Sequence, residues 1–326
     1  MTENNQTCLS VVIPAFNESE SIIELFSRLE KVASKYDYKL QVIYVDDGSN
    51  DDTKEVIRLV KSIVIDEILF VPLKRNMGKS EALMAGASFA KHPLLITMDA
   101  DLQDLPEEFP NLIKKLNEGY DLVSGWKKKR NDPLFGKKIP SFFFNKLVKY
   151  LLKLDIHDIN CGLKIYKTEI WSEINVYGDF HRFIPALASS HGYVVGEVAV
   201  EHHERKSGVS KYGPGRFSRG IFDLLTVFFL TTFAKRPLHF FGKLGGFFLV
   251  LGIVLGLYLT FIWFGGASIG SRPLLLLSSL LTGIGIQIIL FGILSQLLVD
   301  VTKRDMNQLN DSVELVTIKS SEEVRI

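Results

Sequence analysis

The sequence predicts an α/β fold: a mostly parallel sheet with helices on both faces, followed by an amphipathic helix and two apolar membrane spans. Three observations lead there. Between Cys8 and Trp126, five short runs of strand-forming residues alternate with helical patterns, the signature of parallel strands joined by crossover helices. Carboxylates gather where those runs end, at Glu18, Asp46, Asp47, Asp99 and Asp101. From Leu238 to Leu298 the only formal charges are Lys243 and Arg272.

Ser10-Val-Val-Ile-Pro-Ala-Phe-Asn-Glu18 reads as a buried strand running into a turn. Asn17 and Glu20 have the spacing of a capping box for the next helix, where Ile22, Leu25, Phe26, Leu29 and Val32 follow a helical period. Gln41-Val-Ile-Tyr-Val-Asp-Asp-Gly-Ser49 is a second strand ending in two carboxylates and a glycine turn, before a helix over Thr53–Lys61. Strand Ile68–Pro72 leads through Arg75-Asn-Met-Gly-Lys-Ser80 to a helix ending near Ala90. The fourth strand precedes Asp99-Ala-Asp-Leu-Gln103, with Pro106 opening a helix, and Asp121–Trp126 is the fifth. Ligands of such sheets bind at the carboxyl ends of the strands, where these acidic residues fall.

In a strand, residues two apart share a face. Were Asp99, Asp101 and Gln103 to keep that spacing, two carboxylates and an amide oxygen would form a hard-oxygen set suited to Mg²⁺ or Mn²⁺ carrying a phosphorylated substrate. The same residues also suit a solvated, capped strand-to-helix turn.

Other classes fail on particular residues. A dinucleotide fingerprint needs glycines after the first strand, and Pro14-Ala-Phe-Asn-Glu18 has none. Gly78-Lys79-Ser80 resembles the tail of a P-loop, but Leu73 stands where its first glycine belongs. The net charge of +1 excludes bulk basicity as an argument for nucleic acid. Cys8 and Cys161 lack metal-site spacing and point to neither zinc nor a disulfide.

Taken together, Val12-Ile-Pro-Ala-Phe-Asn-Glu18, Val45-Asp-Asp-Gly-Ser49, Asn76-x-Gly-Lys79 and Asp99-Ala-Asp-Leu-Gln103 resemble the successive motifs of GT-A (Rossmann-like) glycosyltransferases of family 2. Asp158-x-x-Cys-Gly162, the His202–Tyr212 loop and two C-terminal spans narrow the resemblance to polyprenyl-phosphate glycosyltransferases, dolichol-phosphate mannose synthases and bacterial undecaprenyl-phosphate glucosyltransferases among them. The resemblance covers about residues 8–302. It implies inverting transfer of a sugar, glucose from UDP-glucose as the first choice, to a polyprenyl monophosphate such as undecaprenyl phosphate. The alternative is the same chemistry with mannose or an aminosugar, and a remote one is a membrane sensor that binds a nucleotide sugar without turnover. A processive polysaccharide synthase would carry Gln-x-x-Arg-Trp, which no glutamine here begins.

The resemblance also implies roles. Asp101 and Asp158 are the catalytic candidates, and Asp99, Asp101 and Gln103 the metal set. Pro14, Ala15, Glu18, Asp46, Asp47, Lys79, Asp99 and Ala100 belong to the donor site, with Arg205 and Lys211 closing over the diphosphate. Lys127, Arg130, Lys137, Lys138 and Ser141 lie in a strongly cationic segment suited to the acceptor phosphate.

The expected organisation is a catalytic domain over 1–215, an interfacial amphipathic helix over 216–237, two spans at about 244–264 and 274–299, and a tail over 303–326. Met1–Thr7 is polar and Leu9–Ala15 too short for a signal sequence. Lys235, Arg236, Lys243, Lys303 and Arg304 flank the spans, so the catalytic domain and both termini are expected in the cytosol of a multi-pass plasma-membrane protein. Gly242/Gly246 and Gly252/Gly256 have the spacing of close helix contacts or homo-oligomerisation.

Overall fold

The computed structural model describes residues 6–127, 149, 151–152, 154–201, 216–233, 236–266, 268–270 and 272–312. The chain divides into two units, 1–231 and 232–326. In the first, strands β1 (Cys8–Ala15), β2 (Lys39–Asp46), β3 (Glu67–Pro72), β4 (Leu94–Thr97), β5 (Leu122–Lys127), β6 (Lys164–Lys167) and β7 (Val195–Val200) form one sheet, ordered β3-β2-β1-β4-β6-β5-β7. β3, β2, β1 and β4 pair in parallel, as do β5 and β7, while β6 runs antiparallel between β4 and β5. The sheet is therefore mixed. β6 has lysines at both ends, and β7 is interrupted by Gly196 and Glu197, so neither stands out as an apolar run.

Helices α1 (Ile22–Tyr36), α2 (Thr53–Leu59), α3 (Lys79–Ala87), α4 (Phe109–Leu116), α5 (Ile170–Glu173) and α6 (Ile184–Ser190) accompany the strands. Two apolar cores flank the sheet, one containing the α1 and α4 stripes, the other those of α3, α5 and α6. Central strands are consequently apolar on both faces: Leu9, Val11, Val12 and Ile13 of β1 are all fully buried. The α1 stripe Ile22, Leu25, Phe26, Leu29 and Val32 is buried as its period requires. Its cap differs from expectation. Ser21 stands at the N-cap but makes no capping bond, its Oγ donating backwards to the Glu18 carbonyl at 2.8 Å, and Asn17, at φ +55, accepts the Asn50 N–H at 2.9 Å through Oδ1. Asn17 thus joins two loops instead of capping a helix. Pro106 opens a 3-10 turn (Pro106–Glu108) that runs into α4.

Helix α7 (Arg216–Thr232) has two apolar faces. Leu224 and Val227 are buried in the core beside α3 and α6, while Phe222, Leu225 and Leu230 are exposed. An exposed apolar face on a helix anchored from behind is what an interfacial helix presents to a membrane.

The second unit is a hairpin of α8 (Pro237–Phe264) and α9 (Pro273–Ser312), both long and apolar enough to cross a bilayer. Small residues bring their backbones together. A Cβ on Gly245 would lie 2.7 Å from the Gly285 carbonyl oxygen, and one on Gly252 would meet Thr282 at 2.5 Å. Ser278 Oγ donates to the Gly252 carbonyl at 2.9 Å. The contact face is thus Gly245/Gly252, seven apart, whereas Gly246 meets nothing within 4 Å.

Gly48 ties the first unit's loops together most tightly. It adopts φ +73, and a Cβ there would lie 2.5 Å from the Arg75 carbonyl carbon. Gly48→Ala is expected to destabilise the full chain by about 1–3 kcal/mol through backbone strain. A thermal melt in detergent checks this, and an unchanged Tm would show that the loop yields freely.

Candidate functional site

The carboxyl ends of β1, β2 and β3 are knitted by hydrogen bonds between their loops. Asp47 N–H donates to the Ala15 carbonyl at 2.8 Å, and Leu73 N–H to the Asp46 carbonyl at 2.8 Å. Ser49 Oγ accepts the Asn17 N–H at 2.8 Å, and Thr53 Oγ1 accepts the Glu18 N–H at 3.1 Å. The Asp47 carboxylate accepts two consecutive backbone N–H groups, Met77 at 2.7 Å and Gly78 at 2.9 Å. Burial, the largest influence, raises the Asp47 pKa above the ordinary value even against those two donors. Asp46 is wholly buried: Oδ1 accepts the Ser49 N–H at 2.9 Å, and Oδ2 lies 3.8 Å from Lys54 Nζ without a hydrogen bond. Pro14 and Ala15 end β1 in the same place, and Glu18 follows in its loop.

Beside this cradle two ion pairs define the turn after β4. Lys79, at the start of α3, pairs with Asp99. Burial alone would raise the Asp99 pKa, but the Lys79 and Lys127 ammonium groups hold its carboxyl well below the usual range. Asp104 is buried, with Oδ2 accepting the Asp99 N–H at 3.2 Å and Oδ1 lying 3.0 Å from Lys127 Nζ. Gly162 packs against both carboxylates: a Cβ there would lie 2.7 Å from Asp104 Oδ2 and 2.8 Å from Asp99 Cγ. Behind them, Thr97 Oγ1 donates to the Gly162 carbonyl at 2.9 Å, and Ser80 Oγ accepts the His181 N–H at 3.0 Å. His181 is held neutral by burial first, then by the Lys79, Arg182 and Lys164 charges.

Asp99, Asp101 and Gln103 do come from one short segment, but not by strand alternation. β4 ends at Thr97, and Leu102 takes a left-handed φ of +62. Asp101 Oδ1 accepts the Gln103 N–H at 3.2 Å, closing a tight turn with both residues half-buried and Ala100 buried beneath. A carboxylate and an amide oxygen two residues apart fit a hard divalent cation. Among the described residues no three His, Cys, Asp or Glu side chains form a metal group, so the fit is to Mg²⁺ or Mn²⁺ completed by substrate phosphate and water, not to a closed protein cage.

Asp158 is buried in a turn before β6, where its Oδ1 accepts the Asn160 N–H at 3.1 Å. Glu197 of β7, absent from the sequence expectations, holds this turn: Oε1 accepts the His157 and Asp158 N–H groups, each at 3.0 Å. The His157 ring stacks on Trp126 at 4.4 Å, beside Lys127 at the end of β5. Asp104 and Glu197 carry no local signal of these contacts, and Gly162, quoted in the motif Asp158-x-x-Cys-Gly162, has a packing role that the motif does not disclose. Arg130, Lys137, Lys138 and Ser141, and Arg205 and Lys211, lie outside the described residues.

Residues 10–174 match the family described as glycosyl transferase family 2. The chain is 40% identical over 303 residues to dodecaprenyl-phosphate galacturonate synthase of Rhizobium johnstonii, covering 91% of this chain and 89% of that one. It is 35% identical over 251 residues to undecaprenyl-phosphate 4-deoxy-4-formamido-L-arabinose transferase of Shewanella sediminis, covering 77% and 74%. Among solved structures, glucosyl-3-phosphoglycerate synthase of Mycobacterium tuberculosis, a complex with Mn²⁺, UDP-glucose and phosphoglyceric acid, aligns with TM-score 0.53 at 19% identity, covering 69% of this chain and 80% of that one. That likeness shows the fold.

The Lys79–Asp99 pair has a pH signature. A carboxyl whose pKa is depressed in the folded state stabilises fully above its unfolded value, near 4 for Asp, and the contribution fades as pH falls through the folded value. The Tm difference between wild type and Lys79→Met is therefore expected to be positive and flat above about pH 5 and to shrink on acidification below about pH 4. Melts from pH 7 to 2 measure it; a difference that grows on acidification would contradict the pairing.

Proposed function

The chain belongs to glycosyl transferase family 2, and on that premise we propose that it transfers a sugar from a nucleoside diphosphate to a polyprenyl monophosphate at a membrane surface. The observation that carries this reading is the convergence of Asp46, Asp47, Lys79, Asp99 and Asp101 at one edge of one sheet, in a chain that also has two apolar helices long enough to span a bilayer. The two relatives are named for galacturonate and for 4-deoxy-4-formamido-L-arabinose. Those names favour a sugar other than glucose, so the first choice made from sequence yields to its alternative.

In this reading Pro14, Ala15 and Glu18 line the base and ribose pocket, the buried Asp46 and Ala100 support it from behind, and the Asp47 carboxylate shapes it through the third loop's backbone. Asp101 and Gln103 hold a divalent cation, which when bound stabilises the negative charge of the departing diphosphate. Lys79 balances Asp99 at the edge of the donor site. The acceptor phosphate, with a second pKa around 6, is largely a dianion at neutral pH and needs positioning more than deprotonation. One of its oxygens bonds to the anomeric carbon as the bond from that carbon to the diphosphate oxygen breaks, with inversion and no proton in transit. Asp158 orients acceptor or sugar; Lys127, Arg130, Lys137, Lys138 and Ser141 receive the lipid phosphate; Arg205 and Lys211 close over the diphosphate. The catalytic unit and both termini face the cytosol, as the cations flanking the apolar helices favour.

Membranes carrying the protein, undecaprenyl phosphate and a panel of nucleotide sugars test the reaction: the expected product is a lipid whose mass has risen by one sugar. Asp101→Asn is expected to lower turnover at least about a hundred-fold while leaving Tm unaltered, the scale of several kcal/mol of lost charge stabilisation. Full activity in excess EDTA, or wild-type turnover of Asp101→Asn, would refute the metal assignment. For orientation, Ser268→Cys should react with an impermeant thiol reagent in intact cells; labelling of Cys8 instead would invert the topology.

A further inference from the structure

Asp104 occupies a position that the proposed chemistry does not yet use. It is 2% exposed, yet it is a carboxylate with both oxygens engaged. Oδ2 accepts the backbone N–H of Asp99, at the donor side, at 3.2 Å. Oδ1 lies 3.0 Å from the ammonium of Lys127, the last residue of β5, where the cationic segment assigned to the acceptor begins. The turn after Asp158 closes the third side, since Gly162 leaves no room for a Cβ between Asp99 and Asp104. Three chain segments, carrying donor, acceptor and orienting residues, therefore meet on one side chain.

We propose that Asp104 is a positioning residue, whose carboxylate fixes the Lys127 ammonium against the Asp99 turn so that one immobile cation meets the acceptor phosphate as it nears the donor. The inference rests on the reading of the chain as a polyprenyl-phosphate sugar transferase. The physical reason is the lysine side chain itself, a strongly hydrated point charge on a flexible four-carbon stem. Left unrestrained, such a group loses rotamer freedom each time it engages a phosphate. A buried carboxylate removes that freedom beforehand and leaves the remaining ammonium protons aimed, which is electrostatic preorganisation. Burial works against the Lys127 charge, but Asp104 above all holds it protonated, with Asp99 among the lesser contributions. Two anionic substrates must approach each other in the proposed reaction, and the cation fixed beside the Asp99 turn is assigned to the acceptor.

A double-mutant cycle on the full chain in detergent separates this role from a structural ion pair. With wild-type transfer to undecaprenyl phosphate measured first, Asp104→Asn is expected to lower kcat/KM for the lipid by about 10- to 100-fold, the loss of one charge-assisted contact. The KM for nucleotide sugar should stay within about two-fold, and Asp104→Asn should add less than about two-fold once Lys127→Met is present, the sign of one coupled unit. Lys127→Arg, which keeps the charge, should retain most activity. If Asp104→Asn does not fold, Lys127→Met beside Lys127→Arg still decides: wild-type acceptor kcat/KM in Lys127→Met overturns the proposal. So would additive losses in the cycle, or a loss confined to the nucleotide sugar. A folded wild type that transfers no sugar to any polyprenyl phosphate would overturn the functional reading and this inference with it, whereas wild-type transfer with an additive cycle would overturn the inference alone.

Discussion

The first unit depends on one carboxylate. Asp47 follows the carboxyl end of β2 and takes the N–H groups of Met77 and Gly78, which open the loop into α3. These backbone N–H groups are part-buried, and the loop has no ladder in which to pair them. The carboxylate pairs both at once, so the third loop cannot move independently of the second. Gly48 allows the close passage by adopting a conformation open to few other residues, and Asn17 and Ser49 extend the knot to the loop after β1. Where Lys79 begins α3, and hence where it meets Asp99, follows from that knot.

Charge balance then sorts the acidic residues of the turn after β4. Asp99 and Asp104 have each been given an ammonium partner, Lys79 and Lys127. Both pairs sit against Gly162, so the two halves of the site are held at a fixed distance across the β4–β6 pairing. For the buried Lys127–Asp104 pair, desolvation offsets much of the attraction, so the geometry it enforces weighs more than its stability. Asp101 and Gln103 occupy the half-buried bend beside these pairs, which is where the proposed function would put a divalent cation.

Much of this was legible in the sequence, and the unread parts share a cause. The α1 stripe, the strand-end carboxylates and the two long apolar segments follow from period, burial and length, which are local properties. Asp99, Asp101 and Gln103 fall in one short segment, but without the strand spacing expected of them, because Leu102 turns left-handed. Asn17 has the spacing of a cap, yet a bond to Asn50 outcompetes that role. The pairing of Asp104 with Lys127, the packing of Gly162 and the bonds of Glu197 depend on partners brought close by the sheet order, as Thr97 and Gly162 are brought close by the β4–β6 pairing. The same holds in the hairpin: Gly242 and Gly246 have a familiar spacing, but the contact runs through Gly245, Gly252 and Gly285, set by which faces of two helices meet.

On the proposed function, the knotted loops form a ready-made seat for the donor's nucleoside diphosphate, with Asp47 acting through backbone and not by touching ligand. Calorimetric titration of UDP and GDP, with Mn²⁺, into the full chain and into Asp47→Ala tests this most directly. The account expects the better-bound nucleotide to lose at least about ten-fold in affinity, some 1.4 kcal/mol, in a variant that remains folded by circular dichroism. Unchanged affinity in folded Asp47→Ala would contradict it.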